Sequence, residues 1–114
     1  MPGSYTPSQS VQEAAKRAVK WIQEGQAGSG FTAVGRQRAA TLAAGRPVSY
    51  EIVKRMKAYF DRHEVDKQAP GFTNGEPGFP SPGRVAWDAW GGDPGRTWAE
   101  TIIKFEERQK DASV

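Results

Sequence analysis

The chain has no cysteine, and its 114 residues include a single histidine, His63. The first absence excludes disulfide staples, a thiol nucleophile and thiolate metal sites, and fits a reducing compartment or a chain that needs no covalent cross-links. With one histidine and no cysteine, a zinc site would have to be built largely from carboxylates, and the two-histidine helical signature of metalloproteases is missing. Long apolar runs are absent too. No stretch approaches the roughly 20 residues that span a bilayer, so no membrane partner is expected. The N-terminus, Met1-Pro2-Gly3-Ser4-Tyr5-Thr6-Pro7-Ser8, carries neither the basic nor the apolar part of a signal peptide, and the chain reads as soluble and unprocessed. Credible strands and internal repeats are also lacking.

What the sequence does have is aromatic surface, gathered late. Three of its four tryptophans, Trp87, Trp90 and Trp98, lie between His63 and Ala99 together with Phe72, Phe79 and most of the prolines. A chain of this length has one interior and cannot leave so many rings in water. The expectation is a core built on Trp87, Trp90, Trp98, Phe60 and Phe79, with Trp87 and Trp90, three residues apart on a short helix, packed on one another. Arg84 and Arg96 are placed to stack on those rings, and Asp88 and Asp93 to fix the arginines. A ligand platform or aromatic cage is the competing use of the same tryptophans.

Read in order, the chain predicts about five short helices in a compact all-α bundle. Residues 1–9 form a flexible leader, 10–110 one helical domain and 111–114 a tail. Ser10-Val11-Gln12-Glu13 has capping-box spacing, and Val11, Ala14, Ala15, Ala18 and Ile22 recur at helical intervals until Gly25, which suits a left-handed cap. After the connector Gln26-Ala27-Gly28-Ser29-Gly30, Thr32 caps a second helix carrying Val34, Ala39, Ala40, Leu42 and Ala43. The connector is no phosphate loop, because Phe31 and Thr32 stand where a Lys-Ser/Thr pair is needed. Gly45 and Pro47 end the second helix. Ser49 caps the third, with Val48 and Val53 as a hydrophobic staple and Ile52, Met56, Tyr59 and Phe60 completing its apolar stripe. From Glu64 to Pro80 the turn pairs Pro70-Gly71, Asn74-Gly75 and Pro77-Gly78 mark a long loop, anchored by Phe72 and Phe79. Ser81-Pro82 and Asp93-Pro94 each read as a cap followed by a proline, opening a fourth helix to Trp90 and a fifth to about Lys110.

Charge is divided unevenly. Residues 1–62 carry a net +6 and residues 63–114 a net −3. The basic half is suited to an acidic protein partner or to nucleic acid, and opposed halves also permit self-association. Arg36, Arg38, Arg46, Lys54, Arg55 and Lys57 are the candidate binding residues. Helices over 32–62, joined by Gly45-Arg46-Pro47-Val48-Ser49, invite comparison with a helix-turn-helix whose second helix begins at Tyr50 and Glu51. The proline-stiffened connection is longer than that motif uses, and a plain helical hairpin would share the pattern.

His63-Glu64-Val65-Asp66 holds the lone histidine and two carboxylates. A metal site or general base would need a shaped pocket around them. The alternative, which we favour, has Glu64 and Asp66 organising the loop through backbone amides and His63 packed at the carbonyl end of the third helix. No metal, cofactor or catalytic residue is expected.

Five motifs follow one another along the chain: Val34-Gly35-x-x-Arg38-Ala39-x-x-Leu42-Ala43-x-Gly45; Val48-Ser49 with Val53-x-Arg55-Met56; Phe60-x-Arg62-His63-Glu64-Val65-Asp66-Lys67; Pro80-Ser81-x-Gly83-Arg84-x-Ala86-Trp87; and Trp90-Gly91-Gly92-Asp93-x-Gly95-x-x-Trp98-Ala99. Together they resemble a small helical module of tailed bacteriophages and prophages, which stands alone or is attached to head-morphogenesis proteins such as portal and prohead-protease polypeptides. The resemblance covers nearly all of residues 10–105, departing at Pro82 and Pro94, where varied small residues are expected. It implies a phage-encoded, non-enzymatic module in the host cytoplasm or the virion, docking on a larger phage or host protein, and it supplies no catalytic residue to carry over. The alternative is a DNA-binding protein using the basic helices of residues 10–62.

Overall fold

Hydroxyl side chains set the helix starts. Thr32 Oγ1 accepts from the Gly35 amide at 3.1 Å, Ser49 Oγ from Ile52 at 3.2 Å and Ser81 Oγ from Arg84 at 3.1 Å, each satisfying an amide that the first helical turn leaves unpaired. They open α2 (Ala33–Ala43), α3 (Tyr50–His63) and α4 (Pro82–Ala89). The first helix, α1 (Gln9–Gln23), starts two residues earlier than the capping box suggests: Ser8, not Ser10, is its cap, and the Gln12 side chain reaches back to donate to the Pro7 carbonyl at 2.9 Å. Gly25 ends α1 at φ 81° and Gly45 ends α2 at φ 70°. In both cases the next amide returns to the third-last helical carbonyl, Gln26 to Trp21 and Arg46 to Thr41, the pairing of a left-handed helix cap.

The computed structural model describes residues 4–28 and 30–112. The ends of the leader and tail, residues 1–3 and 113–114, and Ser29 of the connector lie outside the described residues. The chain is all-α apart from two two-residue strands, β1 (Ser4–Tyr5) and β2 (Val48–Ser49), which pair antiparallel with Tyr5 opposite Val48. These correct the expectation of no strand and of a loose leader: β1 is pinned beside the start of α3, Tyr5 packs on the core and Pro7 is fully buried.

At the centre lies α1, whose buried face is Val11, Ala14, Ala15 and Ala18. That face is mostly alanine, so α2, α4 and α5 (Gly92–Ala112) can all approach it closely, while α3 lies along α5. The fifth helix is not short: it runs for 21 residues. It begins at Gly92 rather than after an Asp93 cap, because the chain turns the corner from α4 on two glycines, Gly91 at φ 113° and Gly92 at φ 68°. A Cβ on Gly91 would stand 2.9 Å from Gly95 Cα.

The tryptophan core is present but organised differently from expectation. Trp87 is fully buried, edge-on to Phe60 at 4.7 Å and to Phe72 at 5.8 Å, and its Nε1 donates to Asp93 at 3.0 Å. Trp90 and Trp98 are only partly buried against the same cluster. Trp87 and Trp90 meet through Tyr59, which stacks on Trp90 at 4.8 Å and lies 6.2 Å from Trp87. Residues three apart on α4 diverge just enough for an intervening ring. Phe79 belongs to a satellite instead of the main core: it sits edge-on to Trp21 at 5.5 Å.

That satellite is held by Arg84. Its guanidinium lies 5.3, 5.5 and 5.9 Å from the rings of Phe79, Phe72 and Trp21. It also donates to the Phe72 carbonyl at 2.9 Å and to Asp88 Oδ1 at 3.3 Å, while Asp88 Oδ2 accepts from Arg17 Nε at 3.2 Å. Burial pushes the Asp88 carboxyl above its usual range, opposed by the charges of Arg84 and Arg17. One arginine thus fastens the long loop to α4, and one aspartate ties α4 to α1. Arg84 does stack, but on rings other than the three late tryptophans. Asp93 pairs with Lys67 at 2.9 Å and not with an arginine, and Arg96 turns to Asp61, Glu64 and Glu100.

Candidate functional site

Three helix ends converge on an open cleft. After Gly30, Phe31 and the Thr32 cap bring in the first turn of α2, which contributes Gly35. Tyr59, Arg62 and His63, at helical spacing, present one face of the last turns of α3; Ala86 and Trp90 do the same for α4. These groups enclose about 300 Å³. A second depression of about 510 Å³ continues from it along Gly28, Pro82 and Gly83, with Gly30, Phe31 and Ala86 as shared wall.

Four of the lining side chains are rings: Phe31, Tyr59, His63 and Trp90. Tyr59 stacks on both His63, at 4.5 Å, and Trp90, at 4.8 Å, and the Arg38 guanidinium lies 5.4 Å over the Trp90 ring. Two polar atoms around the Trp90 ring are buried with no partner among the described residues: the Tyr59 hydroxyl and, outside the cleft's lining, Arg38 Nε. A buried donor without a partner is costly to keep, and both orphans belong to this one neighbourhood. Burial, with help from Asp66 and Asp88, pushes the Tyr59 phenol far above its usual range, so it is a neutral donor at physiological pH. Burial first, and then Arg55, lower the Arg38 pKa, but a guanidinium stays charged. Arg62 is exposed and has no ion pair among the described residues. Two acids act on the Tyr59 phenol: Asp66, which also meets His63 Nδ1 at 3.1 Å, and Asp88, which is held by Arg84 and Arg17.

The six basic residues singled out from sequence are not brought together. Arg38 lies over the Trp90 ring, behind the cleft, and Arg36 lies 5.5 Å over Phe31. Lys54 and Arg55 sit 3.5 and 3.9 Å from Glu51, and Lys57 is 2.7 Å from Asp61, so three of the basic side chains of α3 lie beside its own acids. Arg46 stands apart at the C-terminal end of α2, beside Gln37, Ala40 and Thr41. Nor do α2 and α3 form the packed pair that a helix-turn-helix requires: α2 packs on α1 and α4, and α3 on α5. The reason is the connection itself, for Val48–Ser49 is drawn off to pair with Ser4–Tyr5.

His63, Glu64 and Asp66 act at the loop's start, though not through its amides. Asp66 holds His63, and Glu64 accepts from Arg96 at 3.2 Å, so side-chain partners take both carboxylates away from the backbone. The loop amides of Gly71 and Thr73 go instead to Glu76 Oε1, both at 3.1 Å. No cluster of three or more metal-ligating side chains occurs among the described residues, and no helix there is long and apolar enough to cross a membrane.

Sequence reasoning missed Phe31, Arg62 and the Tyr59 hydroxyl. One signal was legible: a tyrosine in the stripe Ile52, Val53, Met56, Phe60 brings a hydroxyl that must find a partner. Comparison of the chain with protein-family models, curated proteins and solved structures gives no match.

Proposed function

We propose that the chain is a non-enzymatic binding module that docks on a larger protein, and that the cleft between the start of α2 and the ends of α3 and α4 is where the partner enters. The observation that carries this reading is the open cleft itself, walled by Phe31, Trp90 and the exposed Arg62, with two unpartnered donors, the Tyr59 hydroxyl and Arg38 Nε, buried around the Trp90 ring behind it. A folded chain gains nothing from such groups on its own. The resemblance to a phage module favours a partner among head components or host proteins, in the host cytoplasm or the virion.

The experiment is a photo-crosslinking residue at Arg62, at the cleft's rim, in phage-infected cells. The expected result is one dominant adduct that mass spectrometry assigns to a head-assembly or host protein. Crosslinking to nucleic acid, with tight duplex binding whose log-log salt slope approaches −0.9 per phosphate, would replace this reading with the DNA-binding one.

A further inference from the structure

A stack of planar groups ends at this cleft. On α3, Arg55, Tyr59 and His63 follow one another at one-turn intervals. The His63 ring stacks on Tyr59 at 4.5 Å with 24° between the planes, and Trp90 stacks on Tyr59 at 4.8 Å and 8°. The Arg38 guanidinium, 5.4 Å over Trp90, is acted on by Arg55, one turn before Tyr59, whereas His63 comes one turn after it. Trp90 and His63 therefore cover opposite faces of Tyr59, and the order is Arg38, Trp90, Tyr59, His63. Arg38 closes the inner end. The outer end is open: Tyr59 covers one face of the imidazole and Asp66 meets its Nδ1 edge, yet the side chain is 43 % exposed, so the free surface is the face turned away from Tyr59. His63 also lines the cleft.

Resting on the docking reading above, we propose that an aromatic side chain of the partner protein seats on the free face of His63 as the next member of the stack, with its uncharged neighbours in sequence lying along Gly28, Pro82 and Gly83. Flat rings gain from offset stacking what an aliphatic side chain does not. Phe31 and Trp90 add ring surface to the same cleft, whose volume of about 300 Å³ suits one side chain. The adjoining depression is lined by alanine, glycine, proline and Phe31, with no charged side chain. That lining favours a peptide. A nucleic acid stacking a base on His63 would need cations to follow its phosphates, and Arg62 is the one basic side chain besides His63 that lines either depression.

The test is an NMR titration of the full chain, read at the His63 imidazole protons and at the Gly35 and Arg62 amides, with three probes: acetyl-Ala-Trp-Ala-Ala-amide, the same peptide with Leu for Trp, and a short oligothymidylate. The Trp peptide is expected to move the imidazole resonances upfield and saturably, as a ring stacked above them must, and to bind about two- to tenfold more tightly than the Leu peptide. Followed at the two amides, His63→Ala should abolish that preference, and His63→Phe, which keeps a flat face, should restore it. Both variants should stay folded by circular dichroism, since the side chain they replace is partly exposed. Equal binding of the Trp and Leu peptides, imidazole resonances that do not move, or the same preference in His63→Ala as in the unmodified chain would overturn the proposal. Tighter binding of oligothymidylate than of the Trp peptide would overturn it in favour of a nucleobase. Should His63→Ala leave the protein adduct captured through Arg62 unchanged, the stacking site falls while the docking reading stands.

Discussion

Two arginines in this molecule lie over tryptophan, and they are treated in opposite ways. Arg84 faces Trp21, Phe72 and Phe79 with its donors answered by Asp88 and the Phe72 carbonyl. Arg38 faces Trp90 with its Nε buried and unanswered, in company with the equally unanswered Tyr59 hydroxyl. The two sites lie on opposite ends of α4, so the same short helix serves a closed polar network and an incomplete one. The closed network is what fastens the long loop to the helices; the incomplete one borders solvent beside a cleft. The difference teaches how unevenly the fold satisfies its own polar groups: those beside the long loop complete each other, and those around Trp90 stay buried without a partner among the described residues.

Mutations can break this comparison at several depths. The largest effect belongs to the core that both sites share. Trp87→Ala should cost about 3–5 kcal/mol, since the ring is fully buried among Phe60, Phe72 and Tyr59; a guanidinium titration with an unchanged midpoint would show that the core does not rest on this residue. Next comes the closed network. Asp88→Ala leaves Arg84 and Arg17 without their common acceptor and should cost roughly 1.5–3 kcal/mol, the range for hydrogen bonds to charged groups. Arg17 is half exposed and recovers water, which keeps the loss well below that of a fully buried pair. The same titration checks it, and a loss below that of a surface substitution would mean the network is ornamental to stability.

Acid sensitivity separates the two aspartates of this region. Burial raises the Asp93 carboxyl, but hydrogen bonds from Lys67 and Trp87 more than offset it and leave it below its usual value. Its contribution is therefore present above the ordinary carboxylate range and is lost as pH falls through the lowered pKa. Asp93→Asn should flatten the fall of the thermal midpoint on acidification in proportion. Asp88, whose carboxyl burial raises, has the opposite sign: its contribution declines as pH rises from the ordinary range through the raised pKa, so Asp88→Asn should not flatten the acid limb. If the two substitutions act alike in a melting series across the acid range, the assignment of these environments fails.

Much of the fold was legible because it depends on neighbours in sequence. Caps at Thr32, Ser49 and Ser81 and stops at Gly25 and Gly45 are local, and each is where its residue type places it. Ser10 failed for the same kind of reason, since Ser8 offers an equally good hydroxyl one half-turn earlier and Pro7 supplies a carbonyl for Gln12. The fifth helix's start was misread because Asp93-Pro94 imitates a cap, while the Gly91-Gly92 corner and the pull of Trp87 Nε1 decide the matter through space. The site was scarcely legible. Its parts lie on three elements, and the basic residues that stand out in the sequence, Lys54, Arg55 and Lys57, are answered by Glu51 and Asp61 one helical turn away. Arg62 reads as one more charge among these until the fold shows that it has no partner among the described residues. The Tyr59 hydroxyl is visible in sequence as a residue type, but its lack of a partner is a property of the fold alone.

The central claim, that the cleft retains donors its own fold does not use, is tested most directly by the stability of Tyr59→Phe. Deleting a hydroxyl that is hydrogen-bonded costs about 1 kcal/mol; deleting one that is buried and unpartnered costs nothing and relieves a desolvation penalty. The account predicts a denaturant midpoint equal to or above that of the unmodified chain, together with an unchanged slope. A midpoint lowered by the equivalent of about 1 kcal/mol or more would mean that the hydroxyl is satisfied within the fold, and would contradict the account.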